Sequence, residues 1–274
     1  MIVSNNNGGL CNRIRCLVSC MRFAKKNKIV YKVYWEILNS YTKHVHILNC
    51  SFENLFSNKI EIKNISKTNI YYKHHCMIIF EDDNIPVNFN NFNSKCNVNF
   101  IKFDKLNRNI DFMYNKIPEK IKKDYINCFK VLKPINNLQK KIDNFSKKFN
   151  DKTVSVHIRT WNRNGEESRK NYLFNIQKFE NEMFKYKNNN FFIATDSQEV
   201  KEYFKNISKL KNKITFYPRQ TNLNTSRDFM DGVQEDLIEL YLLSKNKIII
   251  GSHFSTFTET AWWLAGCPKN ITIL

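Results

Sequence analysis

The chain has 274 residues, of which 42% are hydrophobic, so it is long and apolar enough to fold as one large domain or two smaller ones. This composition excludes a disordered chain, and no apolar run approaches the roughly 20 residues that a membrane-spanning helix needs. The formal net charge of +19 would ordinarily indicate a nucleic acid or an anionic surface as the partner.

Lysine pairs supply part of this charge, and they lie where the apolar spacing predicts helices. The pairs are Lys25-Lys26, Lys140-Lys141 and Lys147-Lys148. Charges in such positions usually coat solvated helix faces, so we expect no specific nucleic acid partner. A diffuse positive field still favours an anionic nucleotide as ligand.

The cysteines and the N-terminus indicate a reducing compartment. Eight cysteines are spread along the chain without the dense spacing of a disulfide scaffold, and the first residues enter a strand without a signal-peptide pattern. We therefore expect a cytoplasmic protein. Cys16 and Cys20 share a helix face typical of core, and the acidic residues at 81–83 fit a surface turn, so we expect neither a metal ion nor a cofactor.

The first 35 residues predict a β-α-β unit, with strands at 2–4 and 29–35 around a helix at 10–27. Such a unit builds a parallel sheet with a right-handed crossover. The Asn-rich residues 85–110 predict an irregular segment. Helices follow between 117 and 149, divided at Pro134.

The second half alternates strands and helices. The predicted strands are 153–159, 191–194, 214–217 and 247–250, and the predicted helices are 172–187, 198–206, 232–244 and 256–265. This alternation is typical of a doubly wound α/β domain. The fold class is therefore α/β, with domains at 1–150 and 151–274.

The strand at 153–159 carries two alternating sets of side chains. Val154, Val156 and Ile158 form the apolar set, and Ser155, His157 and Arg159 form the polar set. A period of two places the sets on opposite faces, so Arg159 has a defined direction. The loop that follows supplies Glu166 and Glu167, which are candidates for a general base or are merely solvated.

Three strand exits in the second half are polar, and parallel sheets bind ligands at these ends. The residues concerned are Arg159 at the first exit, Thr195, Asp196 and Ser197 at the second, and Gly251, Ser252, Ser255 and Thr256 at the third. Thr256 and Glu259 have capping-box spacing, and Gly251 would permit a close backbone approach. Each exit alone fits an ordinary helix cap, but their convergence favours a nucleotide or sugar-nucleotide pocket.

Several motifs in order resemble one enzyme family. They are Gly8-Gly9-Leu10-Cys11-Asn12-Arg13, residues 33–35 with 50–56, His157-Ile158-Arg159, residues 194–197, and Asp236 with Ser255-Thr256-Phe257. The chain resembles the GDP-fucose-using fucosyltransferases of GT-B fold, in particular the α1,6 and NodZ-like group, and more distantly the α1,2- and protein O-fucosyltransferases. Cys11 replaces a glycine of the family loop, and Thr160-Trp161-Asn162 departs from the usual continuation.

The resemblance implies two Rossmann-like domains facing a cleft, the first on the acceptor side and the second binding the GDP-sugar. It implies metal-independent, inverting transfer to a glycan hydroxyl. Arg159 would bind the diphosphate, and Glu167, or Glu166 by NodZ-like spacing, would be the base. The implied donor-binding residues are Gly9, Asn12, Arg13, His157, Arg159, Thr195, Asp196, Ser197, Asp236, Ser252, Ser255 and Thr256.

Three alternatives remain open from the sequence. The donor could be another GDP-sugar, or the chain could be an inactive relative that binds a sugar nucleotide. The third alternative belongs to a different functional class, a basic protein that binds nucleic acid. Asp236 also fits a solvated residue on an amphipathic helix.

Overall fold

The structure, a computed structural model, describes residues 2–5, 8–28, 30–37, 47–60, 77–79, 117, 119–161, 170–171 and 173–274. The chain forms two compact units, Met1–Ile135 with Arg227–Val233 and Asn136–Ser226 with Gln234–Leu274. The helix after Asn136 therefore packs within the second unit, although it precedes residue 150. The division into functional domains at residue 150 stays a prediction.

The first unit contains a small sheet, ordered β2-β1-β3. Its strands are β1 (Ile2–Asn5), β2 (Tyr31–Tyr34) and β3 (Met77–Ile79). As the β-α-β pattern predicts, β1 and β2 are parallel, whereas β3 runs antiparallel to β1. The expected turn at 81–83 and irregular segment at 85–110 lie outside the described residues.

Helix α1 (Leu10–Asn27) connects β1 to β2, and from Leu10 to Met21 every side chain except that of Asn12 is buried. Cys16 and Cys20 are fully buried, which confirms that they belong to the core. The helix ends at Lys28, whose left-handed backbone (φ 54°) lets its amide reach the carbonyl of Ala24.

Two helices flank Pro134, as predicted. They are α2 (Glu119–Val131) in the first unit and α3 (Asn136–Ser146) in the second. Pro134 cannot continue a helix, and its backbone instead forms an isolated antiparallel bridge with Phe56.

The second unit holds a five-stranded parallel sheet. Its strands are β4 (Thr153–Ile158), β5 (Asn190–Thr195), β6 (Ile214–Thr215), β7 (Ile248–Gly251) and β8 (Asn270–Ile273). The helices between them are α4 (Ile176–Phe184), α5 (Gln198–Glu202), α6 (Met230–Leu243), whose first turn lies in the first unit, and α7 (Thr256–Leu264). Strand β8 is not among the strands predicted from the sequence.

The strand order is β6-β5-β4-β7-β8, with every pairing parallel. From β4 the chain moves outward through β5 and β6, and then returns to β7 on the other side. The order therefore reverses between β4 and β7, and ligands of doubly wound sheets bind at such a reversal.

Strand β4 is buried on both faces, as expected of a central parallel strand. Its apolar face packs in one core cluster with Phe179 and Met183 of α4. On the polar face, the Ser155 hydroxyl donates to the carbonyl of Leu243 at 2.7 Å and accepts from the side-chain amide of Asn246 at 2.9 Å. Ser155 of the predicted polar set thus faces the end of helix α6 and its connection to β7 rather than solvent.

Within the described ranges, none of the helices is both long and apolar enough to cross a membrane.

Candidate functional site

The carboxyl ends of β4 and β7 are joined by side-chain hydrogen bonds. His157 and Gly251 are paired residues of these neighbouring strands. Beyond them, the Arg159 amide donates to the Ser252 hydroxyl at 2.7 Å, and that hydroxyl is 3.2 Å from the carbonyl of His157. Ser252 thereby extends the link between the strands at the point where the strand order reverses.

Arg159 is held by the neighbouring strand exit. Its Nη1 is ion-paired with Oδ2 of Asp196, and its guanidinium carbon lies 5.2 Å from the ring centre of Trp161. The other oxygen of Asp196 accepts from the amide of Thr160 at 2.8 Å and from its hydroxyl at 3.0 Å. Both carboxylate oxygens thus fix the exit of β4, and a contact of Asp196 with the nucleoside stays a prediction.

The two hydroxyls beside Asp196 serve the local backbone. Ser197 caps α5 by accepting from the amide of Val200 at 3.4 Å, and Thr195 accepts from the amide of Ser197 at 3.3 Å. Both side chains are buried. Their geometry matches the ordinary helix cap considered from the sequence, so their part in donor binding stays a prediction.

The third exit leads into α7, which begins at Thr256 after the N-cap Ser255. The Ser255 hydroxyl accepts from the amide of Thr258 at 3.4 Å. The N-cap is therefore Ser255, one residue before Thr256, so the capping box expected at Thr256 and Glu259 is wrong. Phe254, which precedes the N-cap, has a left-handed backbone (φ 53°), so the helical conformation does not extend back beyond Ser255. The first-turn amides and the helix dipole make this end suitable for an anion.

His157 is enclosed between β4 and α7. Its Nδ1 lies 2.8 Å from Oγ1 of Thr258, and its ring stacks on Phe257 with centroids 4.8 Å apart. Burial lowers the pKa of His157 to about 4, with a raising effect from Asp196 and a lowering one from Arg159. The imidazole is therefore neutral at pH 7.

Gly251 permits a close approach, as expected, but the group that approaches is α7. A Cβ at position 251 would lie 2.1 Å from Cγ2 of Thr258. Position 251 therefore tolerates only glycine while α7 keeps its place.

Asp236 belongs to a buried ionic cluster that the sequence did not predict. Nη1 of Arg219 lies 2.7 Å from both Asp236 and Glu239, and its Nε is 3.4 Å from Glu235. The Arg219 side chain is only 3% exposed. Asp236 is thus no solvated helix residue, since it anchors the segment after β6, and its contact with a nucleoside stays a prediction.

Opposing effects set the charges of this cluster. Burial alone would lower the pKa of Arg219, but the carboxylates of Asp236 and Glu239 raise it above its usual value. Burial raises the pKa of Glu239, although Arg219 and Lys201 oppose the shift. Applying the strand-exit rule to β6 as well would have directed attention to Arg219.

In the first unit, Arg13 connects two loops. Its Nε donates to the carbonyl of Gly8 at 2.8 Å, its Nη1 donates to that of Glu36, and its guanidinium carbon lies 5.2 Å from the ring centre of Trp35. Burial lowers the pKa of Arg13 to about 10. Asn12 is partly buried in the first turn of α1. Donor binding by Arg13 and Asn12 stays a prediction.

The Gly9 loop has a neighbour that no motif indicated. A Cβ on Gly9 would lie 3.0 Å from Nη1 of Arg227. Asn49 holds the segment that contains Arg227 and Asp228. Its backbone amide donates to the carbonyl of Arg227 at 2.9 Å, and its side chain donates to the carbonyl of Asp228 at 2.7 Å. The structure thus places a guanidinium beside the predicted donor-binding residue Gly9.

Glu166 and Glu167, the candidates for the base, lie outside the described residues. In the part of the chain that is described, there is no group of three or more His, Cys, Asp or Glu side chains arranged to hold a metal ion.

Solved structures resemble the chain over nearly its full length. NodZ α-1,6-fucosyltransferase soaked with GDP-fucose is 13% identical with a TM-score of 0.55, and the match covers 96% of this chain and 91% of that one. Fucosyltransferase NodZ from Bradyrhizobium is 14% identical (TM-score 0.53; 94% and 90% covered). POFUT1 in complex with GDP-fucose is 10% identical (TM-score 0.51; 98% of each chain covered).

At these identities the likeness shows the fold alone, an α/β fold shared with the GT-B fucosyltransferases. No family model and no curated protein matches the sequence.

Proposed function

We propose that the protein is an inverting glycosyltransferase that transfers fucose from GDP-fucose to a glycan hydroxyl without a metal ion. The supporting observation is Arg159, held by Asp196 beside the reversal of strand order between β4 and β7 and tied through Ser252 to the segment that leads into α7. The likeness to NodZ and POFUT1, whose structures were obtained with GDP-fucose, is consistent with this chemistry.

In this proposal the second unit binds the donor. Arg159 and the first-turn amides of α7 neutralise the charge that develops on the leaving diphosphate. Ser252, Ser255 and Thr256 surround the diphosphate, while His157 and Asp236 contribute to the nucleoside side. Asp196 contributes mainly by orienting the guanidinium of Arg159. The N-terminal domain supplies the acceptor side.

The transfer itself needs one base. The acceptor oxygen attacks the anomeric carbon of the sugar, the bond from that carbon to the phosphate oxygen breaks, and the electron pair leaves with GDP. Glu167, or Glu166, takes the proton of the acceptor hydroxyl. Attack opposite the leaving group inverts the anomeric configuration.

A panel of sugar nucleotides tests the proposal by measuring the release of GDP or UDP from GDP-fucose, GDP-mannose and UDP-glucose, with and without glycan acceptors. We expect turnover of GDP-fucose, and its loss in Arg159→Ala. Preference for another GDP-sugar would correct the donor, and indifference to all GDP-sugars would refute the proposal. Glu166→Gln and Glu167→Gln, assayed separately, identify the base by which of them abolishes transfer.

A further inference from the structure

Thr258 lies over the pair of residues at which β4 and β7 meet. Its methyl group approaches Gly251 of β7, and its hydroxyl approaches His157 of β4. Thr258 is completely buried, and His157 and Gly251 are register partners. One side chain of α7 is therefore fixed against both strands that border the reversal of strand order.

The position of the Thr258 methyl group also fixes the direction of the Thr258 hydroxyl. Because a Cβ on Gly251 would come within 2.1 Å of Cγ2 of Thr258, the methyl group already occupies the space above the glycine. A threonine side chain has few staggered rotamers, so placing its methyl group also places its hydroxyl. Oγ1 then lies 2.8 Å from Nδ1 of His157.

The Thr258 hydroxyl has no other hydrogen-bond partner among the described residues. Thr260 shows the usual alternative, because its hydroxyl donates to the carbonyl of Thr256, four residues earlier. The corresponding residue for Thr258 is Phe254, which lies before the helix in a left-handed conformation. Among the described residues, the acceptor left for the buried hydroxyl proton is therefore the ring nitrogen of His157.

Two proton arrangements are compatible with the 2.8 Å distance between Oγ1 of Thr258 and Nδ1 of His157, and they differ in free energy. If Nδ1 carried the proton and donated to Thr258, the hydroxyl proton would be buried without an acceptor, which is unfavourable. If the hydroxyl donates to Nδ1, both groups are satisfied and Nε2 carries the ring proton.

We propose that Thr258 is a positioning residue that sets the tautomer of His157, so that Nε2–H donates a hydrogen bond to the GDP-sugar donor. The identity of the ligand rests on the proposed function, whereas the tautomer does not depend on it. Nε2 has no hydrogen-bond partner among the described residues, which leaves this donor available at the carboxyl end of β4.

The surroundings of the ring support a fixed, neutral imidazole. Phe257 stacks on its face and holds its plane, and burial keeps its pKa near 4. A neutral histidine with one nitrogen accepting from Thr258 offers a single defined donor to the ligand.

Nitrogen-15 NMR of the histidine side chains at pH 7 tests the proposal directly, with His157→Gln used to assign the signals. In the wild type we expect a protonated Nε2 and an unprotonated Nδ1. Thr258→Val keeps the shape of the side chain but removes the hydroxyl, so it should shift His157 toward the Nδ1–H form. Thr258→Ser keeps the hydroxyl and should retain the wild-type tautomer.

Titration with GDP provides the second measurement. We expect Thr258→Val to weaken GDP binding about tenfold, which corresponds to one hydrogen bond, and Thr258→Ser to restore most of the affinity. An Nδ1–H tautomer in the wild type, or a tautomer unchanged in Thr258→Val, would overturn the proposal. Failure of the wild type to bind GDP would instead refute the proposed function and leave the tautomer result standing.

Discussion

Arg159 and Asp196 form an ion pair between the ends of the neighbouring strands β4 and β5. The same carboxylate holds the backbone and the hydroxyl of Thr160, the residue that follows Arg159. The guanidinium is therefore oriented before any ligand arrives. Such preorganisation makes a charge more effective in stabilising a leaving group, because the protein need not reorganise during the reaction.

Replacing Arg159 should separate charge from geometry. We expect Arg159→Ala to lower kcat/KM for the GDP-sugar by at least about 100-fold, because the leaving diphosphate loses its cation. Arg159→Lys retains the charge but not the planar fork, and should recover only part of that loss. Steady-state kinetics give both values, and wild-type kinetics in Arg159→Ala would contradict the assignment.

Asp196→Asn should act through Arg159. The variant keeps an oxygen for Thr160 but loses the ion pair, so the guanidinium becomes less ordered. We expect kcat/KM to fall about tenfold, corresponding to one charge-assisted hydrogen bond. In the background of Arg159→Ala the same change should have little further effect, and additive losses in a double-mutant cycle would argue against this coupling.

The Arg219 cluster should be more important for stability than a surface ion pair. Arg219→Met leaves Glu235, Asp236 and Glu239 without their shared cation, and we expect a loss of about 3 kcal/mol or more in the free energy of unfolding at pH 7. Burial raises the pKa of Glu239, so protonation should shrink this loss as the pH falls.

Urea unfolding measures the effect of Arg219→Met. The control is Lys122→Met, because Lys122 pairs with the exposed Glu119 on α2 and its removal should cost less than about 1 kcal/mol. Equal losses in the two variants would show that the cluster contributes no more than a surface pair.

His157 should make stability depend on pH. Its pKa is about 4 when folded against an ordinary value of 6.5, so the unfolded chain binds more protons between these values. The stabilising contribution is complete above pH 6.5 and is lost as the pH falls toward 4, by at most about 3 kcal/mol. Denaturant titrations across this range should show a shallower pH slope in His157→Gln than in the wild type.

Two glycines should differ in their tolerance of alanine. In Gly251→Ala the new methyl group meets the buried Thr258, and we expect a loss of about 1–3 kcal/mol in unfolding free energy. Adding Thr258→Ser removes Cγ2 and should restore part of the loss. In Gly9→Ala the contact is the end of the flexible Arg227 side chain, and the backbone (φ −67°) accepts alanine, so the loss should be below about 0.5 kcal/mol.

The alternation of strands and helices made most of the second unit predictable from its sequence. Period-two and helical spacing placed β4, β5, β7 and the helices between them, because each carries an apolar pattern that can be recognised locally. The same pattern did not predict β8, a short strand of four residues at the sheet edge. Its pairing with β7 depends on the sheet already being formed.

The site was less predictable than the fold. Strand exits identified Arg159 and Ser252 because their position at strand ends is local information. The contact of Gly9 with Arg227 joins distant parts of the chain and carries no local signal, whereas Arg219, the partner of Asp236, follows strand β6 and could have been found at its exit. Thr258 was overlooked because threonine in the first turn of a helix is unremarkable until its neighbours are known.

Ser252 has a consequence for how a ligand would be received. Since one hydroxyl joins the amide of Arg159 to the carbonyl of His157, the ends of β4 and β7 are fixed together by folding itself. A ligand that binds there meets a surface whose conformational entropy has already been lost, so little of its binding energy goes into ordering the protein. Differences in affinity among ligands would then reflect their own fit to this rigid edge.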